Sequence, residues 1–187
     1  MKAIKKGYGD IMDKSILAVN KDSLERVLVK NPMIKSAQVY YSLDGYIHVN
    51  IQQREPVLRV LTGEGYYVDR DGRVMPLSSK FTSRVVVATG DINKKFACEK
   101  LGPFAMKLKN EPFWDAYIEQ LVVRSNEDVV MIPKVGDFRI VLGKVDDCDA
   151  RLEKLILFLK DGITKKGWNR YKEINLKFDN QVVCVRK

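Results

Sequence analysis

The residues able to do chemistry are few, and their spacing argues against a reactive site. The chain holds a single histidine. His48 lies in Tyr46-Ile47-His48-Val49-Asn50-Ile51-Gln52, a strict alternation that puts it in phase with Tyr46, Asn50 and Gln52. That phase is the polar face of a strand, so an exposed histidine is expected. A zinc site needs further ligands of its kind, and a general base needs a nucleophile and an orienting acid beside it. Cys98, Cys148 and Cys184 form no C-x-x-C pair, and three thiols cannot all pair within one chain. They read as small buried apolar residues. Asp69 and Asp71 surround Arg70 ahead of Gly72. The closing glutamate of a calcium loop is missing, so a hairpin turn is expected there. Gly63-Glu64-Gly65 is followed by no helix whose N-terminus could hold a phosphate. G-x-x-x-x-G-K-[ST], G-x-G-x-x-G and G-x-S-x-G do not occur. The expectation is no catalytic residue, no metal and no cofactor.

Charge is the next candidate for function. Lys and Arg number 33 against 24 acidic residues, a net charge of +9. Clustered on one face, such an excess would suit nucleic acid. Here no basic run exceeds two residues, as at Lys5-Lys6, Lys94-Lys95, Lys165-Lys166 and Arg186-Lys187. Residues 1–54 carry nine basic and five acidic side chains, so +4 of the +9 sits there and +5 in the rest. An evenly spread excess reads as a solvated surface. Tyr40-Tyr41, Tyr66-Tyr67 and Trp168 could stack on bases. The interleaved RNA-recognition signature is absent, and nucleic acid is not an expected partner. The longest apolar run is Leu155-Ile156-Leu157-Phe158-Leu159. A membrane helix needs about 20 such residues. Met1-Lys2-Ala3-Ile4 reads like a segment cut from something longer.

The elements that must position any binding surface follow from periodicity. Residues 1–12 look weakly helical, with Gly7 and Gly9 against a long helix. Residues 21–30 are expected to form a helix capped by Asn20 or Asp22, with Leu24, Val27 and Leu28 inward, ended by Asn31-Pro32. Residues 36–42 read as a strand with Ala37, Val39 and Tyr41 in one phase. Asp44-Gly45 is a hairpin signal, and residues 46–53 return with Ile47, Val49 and Ile51 inward. Gln53-Arg54-Glu55-Pro56 marks a break. Beyond it come short strands at 56–61, 66–68, 73–75 and 84–88. A helix over 92–109 should break or kink at Gly102-Pro103, and Phe113-Trp114 should enter the core. Strands at 117–125, 128–133 and 137–142 form a meander. Asp146 or Asp147 should cap a long helix whose stripe of Leu152, Leu155, Ile156, Leu159 and Ile163 packs on the sheet. Two last strands, 171–178 and 181–186, are joined at Asp179-Asn180. The fold class is α+β: a small module over residues 1–54, then a larger mixed β-sheet domain over 55–187 with a long C-terminal helix.

One feature of the last strand bears on function. Exposed strand edges are normally protected by charge or proline. Gln181-Val182-Val183-Cys184-Val185 has neither until Arg186. Such a strand is either covered by neighbours on both sides or open to pairing with a partner, and chain order alone favours the covered case.

The order of motifs adds a further expectation. Asn31-Pro32-Met33-Ile34-Lys35-Ser36-Ala37-Gln38-Val39, then Asp44-Gly45, then Gln53-Arg54-Glu55-Pro56, resembles a POTRA module running into the second domain of FtsQ/DivIB bacterial cell-division proteins, in their Bacteroidetes form. Tyr66-Tyr67-Val68-Asp69 with Gly72, Val74 and Pro76-Leu77 fits too, as do Val85-Val86-Val87-Ala88-Thr89-Gly90, Gly143 with Asp146, Arg151-Leu152, Lys154-Leu155 and residues 171–178. The resemblance implies a non-catalytic division scaffold. It implies one N-terminal helix through the inner membrane, missing here, with this segment in the periplasm. The implied partners are FtsB and FtsL-type division proteins and the septal peptidoglycan synthesis machinery. It also implies that the final strands accept a strand from FtsB. By position this maps onto Ile174, Leu176, Phe178, Gln181, Val182, Val183, Cys184, Val185 and Arg186. Arg186 departs from members that place a tryptophan late in that strand. The strand that opens a POTRA module is not found. With the resemblance, pairing of residues 181–186 with a partner becomes the favoured reading. Another POTRA-bearing protein, an outer-membrane assembly or secretion factor, is the alternative, and a basic nucleic-acid-binding domain comes after it.

Overall fold

The computed structural model describes residues 19–78, 82–163 and 170–187. The helical reading of residues 1–12, the missing first strand, Trp168 and the Ile163 side chain lie outside the described residues. The chain divides into two compact units, residues 1–55 and 56–187.

In the first unit, helix α1 (Lys21–Val29) covers a two-stranded antiparallel sheet of β1 (Ile34–Tyr41) and β2 (Ile47–Gln53). Asn20 is the N-cap, its side chain accepting the Ser23 N–H at 3.0 Å. That satisfies one of the amides a helix start leaves without a partner, an effect of about 1 kcal/mol. Leu24 and Leu28 are buried with Val19, Ile34, Ala37 and Val39, each large aliphatic contributing about 1.5–3 kcal/mol. Gly45 takes φ 87° in the turn, which glycine allows at no steric cost. Ile47 and Val49 pack on this cluster as their phase requires. Ile51, expected to face inward, is 42% exposed instead. The alternation holds along β2, but the small cluster ends before reaching it.

Among the described residues, the second unit is a nine-stranded mixed sheet in the order β11-β10-β9-β8-β7-β6-β3-β4-β5. Its strands are β3 (Pro56–Val60), β4 (Tyr66–Asp69), β5 (Val74–Pro76), β6 (Val86–Gly90), β7 (Ile118–Arg124), β8 (Asp128–Pro133), β9 (Arg139–Gly143), β10 (Tyr171–Asn175) and β11 (Val183–Arg186). The runs β3-β4-β5, β7-β8-β9 and β10-β11 are antiparallel, while β3-β6, β6-β7 and β9-β10 are parallel. Parallel neighbours need a crossover, and the helices are placed in those crossovers.

The crossover from β6 to β7 holds α2 (Lys94–Phe96), a π-type segment Ala97–Leu101, α3 (Gly102–Asn110) and α4 (Pro112–Tyr117). The break expected at Gly102-Pro103 is realised as this π-type segment, which lets the helix continue past a residue with no N–H. A Cβ on Gly102 would lie 3.1 Å from Val68 Cγ1, so glycine lets the helix approach β4. Trp114 enters the core as expected, but Phe113 is 46% exposed and stacks on Tyr117 instead. On so short a helix, adjacent residues cannot both face the sheet.

The crossover from β9 to β10 contains α5 (Asp149–Leu157), followed by a π-type segment Phe158–Ile163. Leu152, Leu155 and Leu159 are buried, and Ile156 packs against them. Neither aspartate caps this helix. Cys148 is the N-cap without a side-chain bond. Asp147 takes φ 46°, which delays entry into the helix, and the Asp146 carboxylate pairs with Lys100 at 2.5 Å.

Candidate functional site

The C-terminal hairpin ends the sheet. β10 sits between β9 and β11, with Glu173 opposite Val185, Ile174 opposite Cys184 and Asn175 opposite Val183. Among the described residues β10 is the one neighbour of β11, which is therefore an edge strand. The covered arrangement that chain order favoured is not found.

The nine residues assigned to partner binding separate into two groups. Ile174 and Leu176 are fully buried and cannot offer side chains to a partner. They hold β10 against the helices. Val182 and Cys184 are half-buried and pack on the same core. On the opposite phase Val183 is 37% exposed and Val185 40%. Phe178 lies exposed in the connecting turn, and Gln181 and Arg186 are exposed. A strand anchored by one phase of side chains thus presents two valines on the other, with an exposed phenylalanine in the turn that leads to it.

Backbone polarity can be read from one bond. The Lys187 N–H donates to the Arg170 carbonyl at 3.2 Å. Alternation along a strand then aims the N–H and C=O of Arg186 away from β10.

Electrostatics fix both ends of β11. At its end Lys187 Nζ lies 2.6 Å from Asp137, and this cation holds the exposed Asp137 carboxyl below its ordinary range. Beside it Arg139 and Glu173 pair across β9 and β10 at 2.8 Å. At its start the Asn175 side chain accepts the Lys177 N–H at 3.0 Å, and Asn180 takes φ 57° to reverse the chain. Lys154 on α5 donates to the carbonyls of Leu176 (3.2 Å) and Phe178 (2.5 Å). Sequence reasoning did not find the roles of Lys154, Asp137 and Lys187. Their partners lie 22 to 50 residues away, and no local pattern marks them.

Among the described residues, reactive groups do not converge. His48 is exposed, stacked on Tyr40 at 5.0 Å, with Nε2 3.2 Å from Ser42 Oγ. Burial pushes the Cys98 and Cys148 thiols up, away from the reactive thiolate, and the Tyr117 phenol up to about 12. Asp69 is buried and closes the β4–β5 turn by accepting the N–H groups of Asp71 (3.0 Å) and Arg73 (2.7 Å). Among the described residues no three His, Cys, Asp or Glu side chains are placed to hold a metal. No helix of the described residues is long and apolar enough to cross a membrane.

Comparison with known proteins finds two family models that match the chain. The family model for FtsQ/DivIB, C-terminal related, matches residues 55–185. The model for a POTRA-like domain matches residues 1–52. No curated protein matches the chain.

Proposed function

We propose, from the premise that the chain belongs to the FtsQ/DivIB, C-terminal related family, that it is a scaffold which binds other division proteins by accepting a strand at β11. Membership carries a role in cell division, in a family of non-catalytic, membrane-anchored division proteins. The match over residues 55–185 favours this reading over another POTRA-bearing assembly or secretion factor.

One observation carries the proposal: β11 closes a nine-stranded sheet with exposed Val183 and Val185 and no proline. Strand addition draws affinity from main-chain hydrogen bonds and specificity from alternate side chains. Both are on offer here, the backbone of Arg186 for the first and the valines with Phe178 for the second. The partners in this reading are FtsB and FtsL-type proteins, met in the periplasm beside the septal peptidoglycan synthesis machinery. Anchoring of both partners in the inner membrane raises their effective concentration, so a modest intrinsic affinity suffices.

The test replaces Val183→Asp and Val185→Asp together. Both side chains are on the exposed phase, so the fold should survive. Titration calorimetry against the soluble part of an FtsB–FtsL complex should show affinity reduced about tenfold or more, equivalent to about 1.4 kcal/mol. An unchanged affinity, with thermal unfolding also unchanged, overturns the proposal.

A further inference from the structure

The edge strand is held on one side by β10 and has only four residues, so its position depends on the turn that delivers it. That turn is tied to a helix. β9 and β10 are parallel, so the carbonyls at their C-terminal ends emerge at the same end of the sheet. α5 passes this end with Arg151 and Lys154, three residues apart and hence neighbours on one helix face. Arg151 donates to the Leu142 carbonyl at 2.7 Å and the Asp146 carbonyl at 2.6 Å, closing the loop after β9. Lys154 donates to the carbonyls of Leu176 and Phe178, closing the segment after β10. α5 is itself immobilised by Leu152 and Leu155 in the core.

We propose that Lys154 is a positioning residue for the partner site: its ammonium clamps the turn after β10 so that β11 and Phe178 are presented in one fixed geometry. This rests on the strand-addition reading for its consequence in binding, though the clamp can be measured without a partner. Bonds from a charged donor are stronger than neutral ones, and both of these bind the short segment between β10 and the reversal at Asn180. The neighbouring bonds do not replace them. The Leu176 N–H is used by the Val141 carbonyl, which holds the end of β10 to β9. Lys177 Nζ reaches Asp128 on β8, which restrains a side chain and leaves the carbonyls of the turn unheld. Lys154 touches no partner in this scheme. It pre-organises the edge, and pre-organisation is a large determinant of affinity where a strand must be met by a strand.

The experiment uses Lys154→Met, Lys154→Arg and Arg151→Met in the whole chain. Amide hydrogen exchange is read in residues 177–186 and in the β7–β8 pair, and binding of the soluble part of an FtsB–FtsL complex is read alongside. Lys154→Met should speed exchange in residues 177–186 about tenfold and weaken binding to match, with β7–β8 unchanged. Lys154→Arg, which keeps the donors, should restore both. Arg151→Met should loosen the loop after β9 and leave the hairpin as it was. Unchanged hairpin exchange in Lys154→Met overturns the clamp. So does faster exchange spread equally over β7–β8, because that reports general stability only. Altered hairpin exchange in a protein that does not bind the complex at all leaves the clamp standing and removes the strand-addition reading.

Discussion

The nine-stranded sheet has two ends, and the chain treats them differently. β5 closes one end with three residues, Val74-Met75-Pro76. Asp69 donates its N–H to the Arg73 carbonyl, which sets the register Tyr67 opposite Met75 and Tyr66 opposite Pro76. In that register Pro76 is an outward-facing position, where its missing N–H removes a donor from the rim. β11 closes the other end with Val183-Cys184-Val185-Arg186 and no such defect. Both edges bear exposed valine: Val74 at one, Val183 and Val185 at the other. Apolar exposure is therefore not what separates them. The difference lies in the backbone, since one rim lacks a donor and the other keeps a complete alternation. A sheet can thus carry one protected edge and one receptive edge with similar side chains on each.

The largest effect expected on this contrast comes from the core beneath the receptive edge. Leu176→Ala should cost about 2–5 kcal/mol, the range for emptying a packed leucine site. It should lower the unfolding midpoint in urea and abolish strand binding at concentrations where the native chain binds. Met75→Ala, under the protected edge, should destabilise by a similar amount. Binding per folded molecule should survive it. Loss of binding in both variants alike would mean that the two edges are not independent.

A smaller effect is expected from removing the protection. Pro76→Val restores a donor at an outward position of β5. Sedimentation at high protein concentration should then reveal more self-association than the native chain shows under the same conditions. A variant that associates no more than the native chain at every concentration would show that the shortness of β5, and not its proline, blunts that edge.

The smallest effect concerns pH. The Asp137 carboxyl is held below its ordinary value of 3.8 by Lys187. A depressed carboxylate contributes stability above the unfolded value and loses it as pH falls through the folded one. Fraying of the end of β11 should therefore begin below pH 3.8, seen as faster exchange at Arg186 and Lys187. Asp137→Asn should show the same fraying at neutral pH and no further change on acidification. Because the pair is exposed, the effect on global stability should be near nothing.

Most of the helices and strands were legible because their signals are local. Asn20 capping, the Asp44-Gly45 reversal and the alternation along β1 and β2 need only neighbours along the chain. Errors arose where a distant residue competed. Asp146 had the chemistry of a cap, but Lys100 takes its carboxylate. Phe113 and Trp114 looked equivalent, and only one could face the sheet. Ile174 and Leu176 shared a segment with the proposed site, yet the helices bury them completely. Along one strand, a site residue and the core residue beneath it look alike.

The order of residues was enough to set the apolar phase of β1, the absence of proline after Gln181 and the motifs that mark the family. It could not say whether residues 181–186 end up between two strands or at a rim. That depends on which strands pair, and pairing is a long-range choice made by the packing of the helices against the sheet. The parallel placement of β10 beside β9, forced by the α5 crossover, leaves β11 outermost. The same crossover brings Lys154 to the turn. Strand phase is a property of adjacent residues, whereas edge position is a property of the whole sheet.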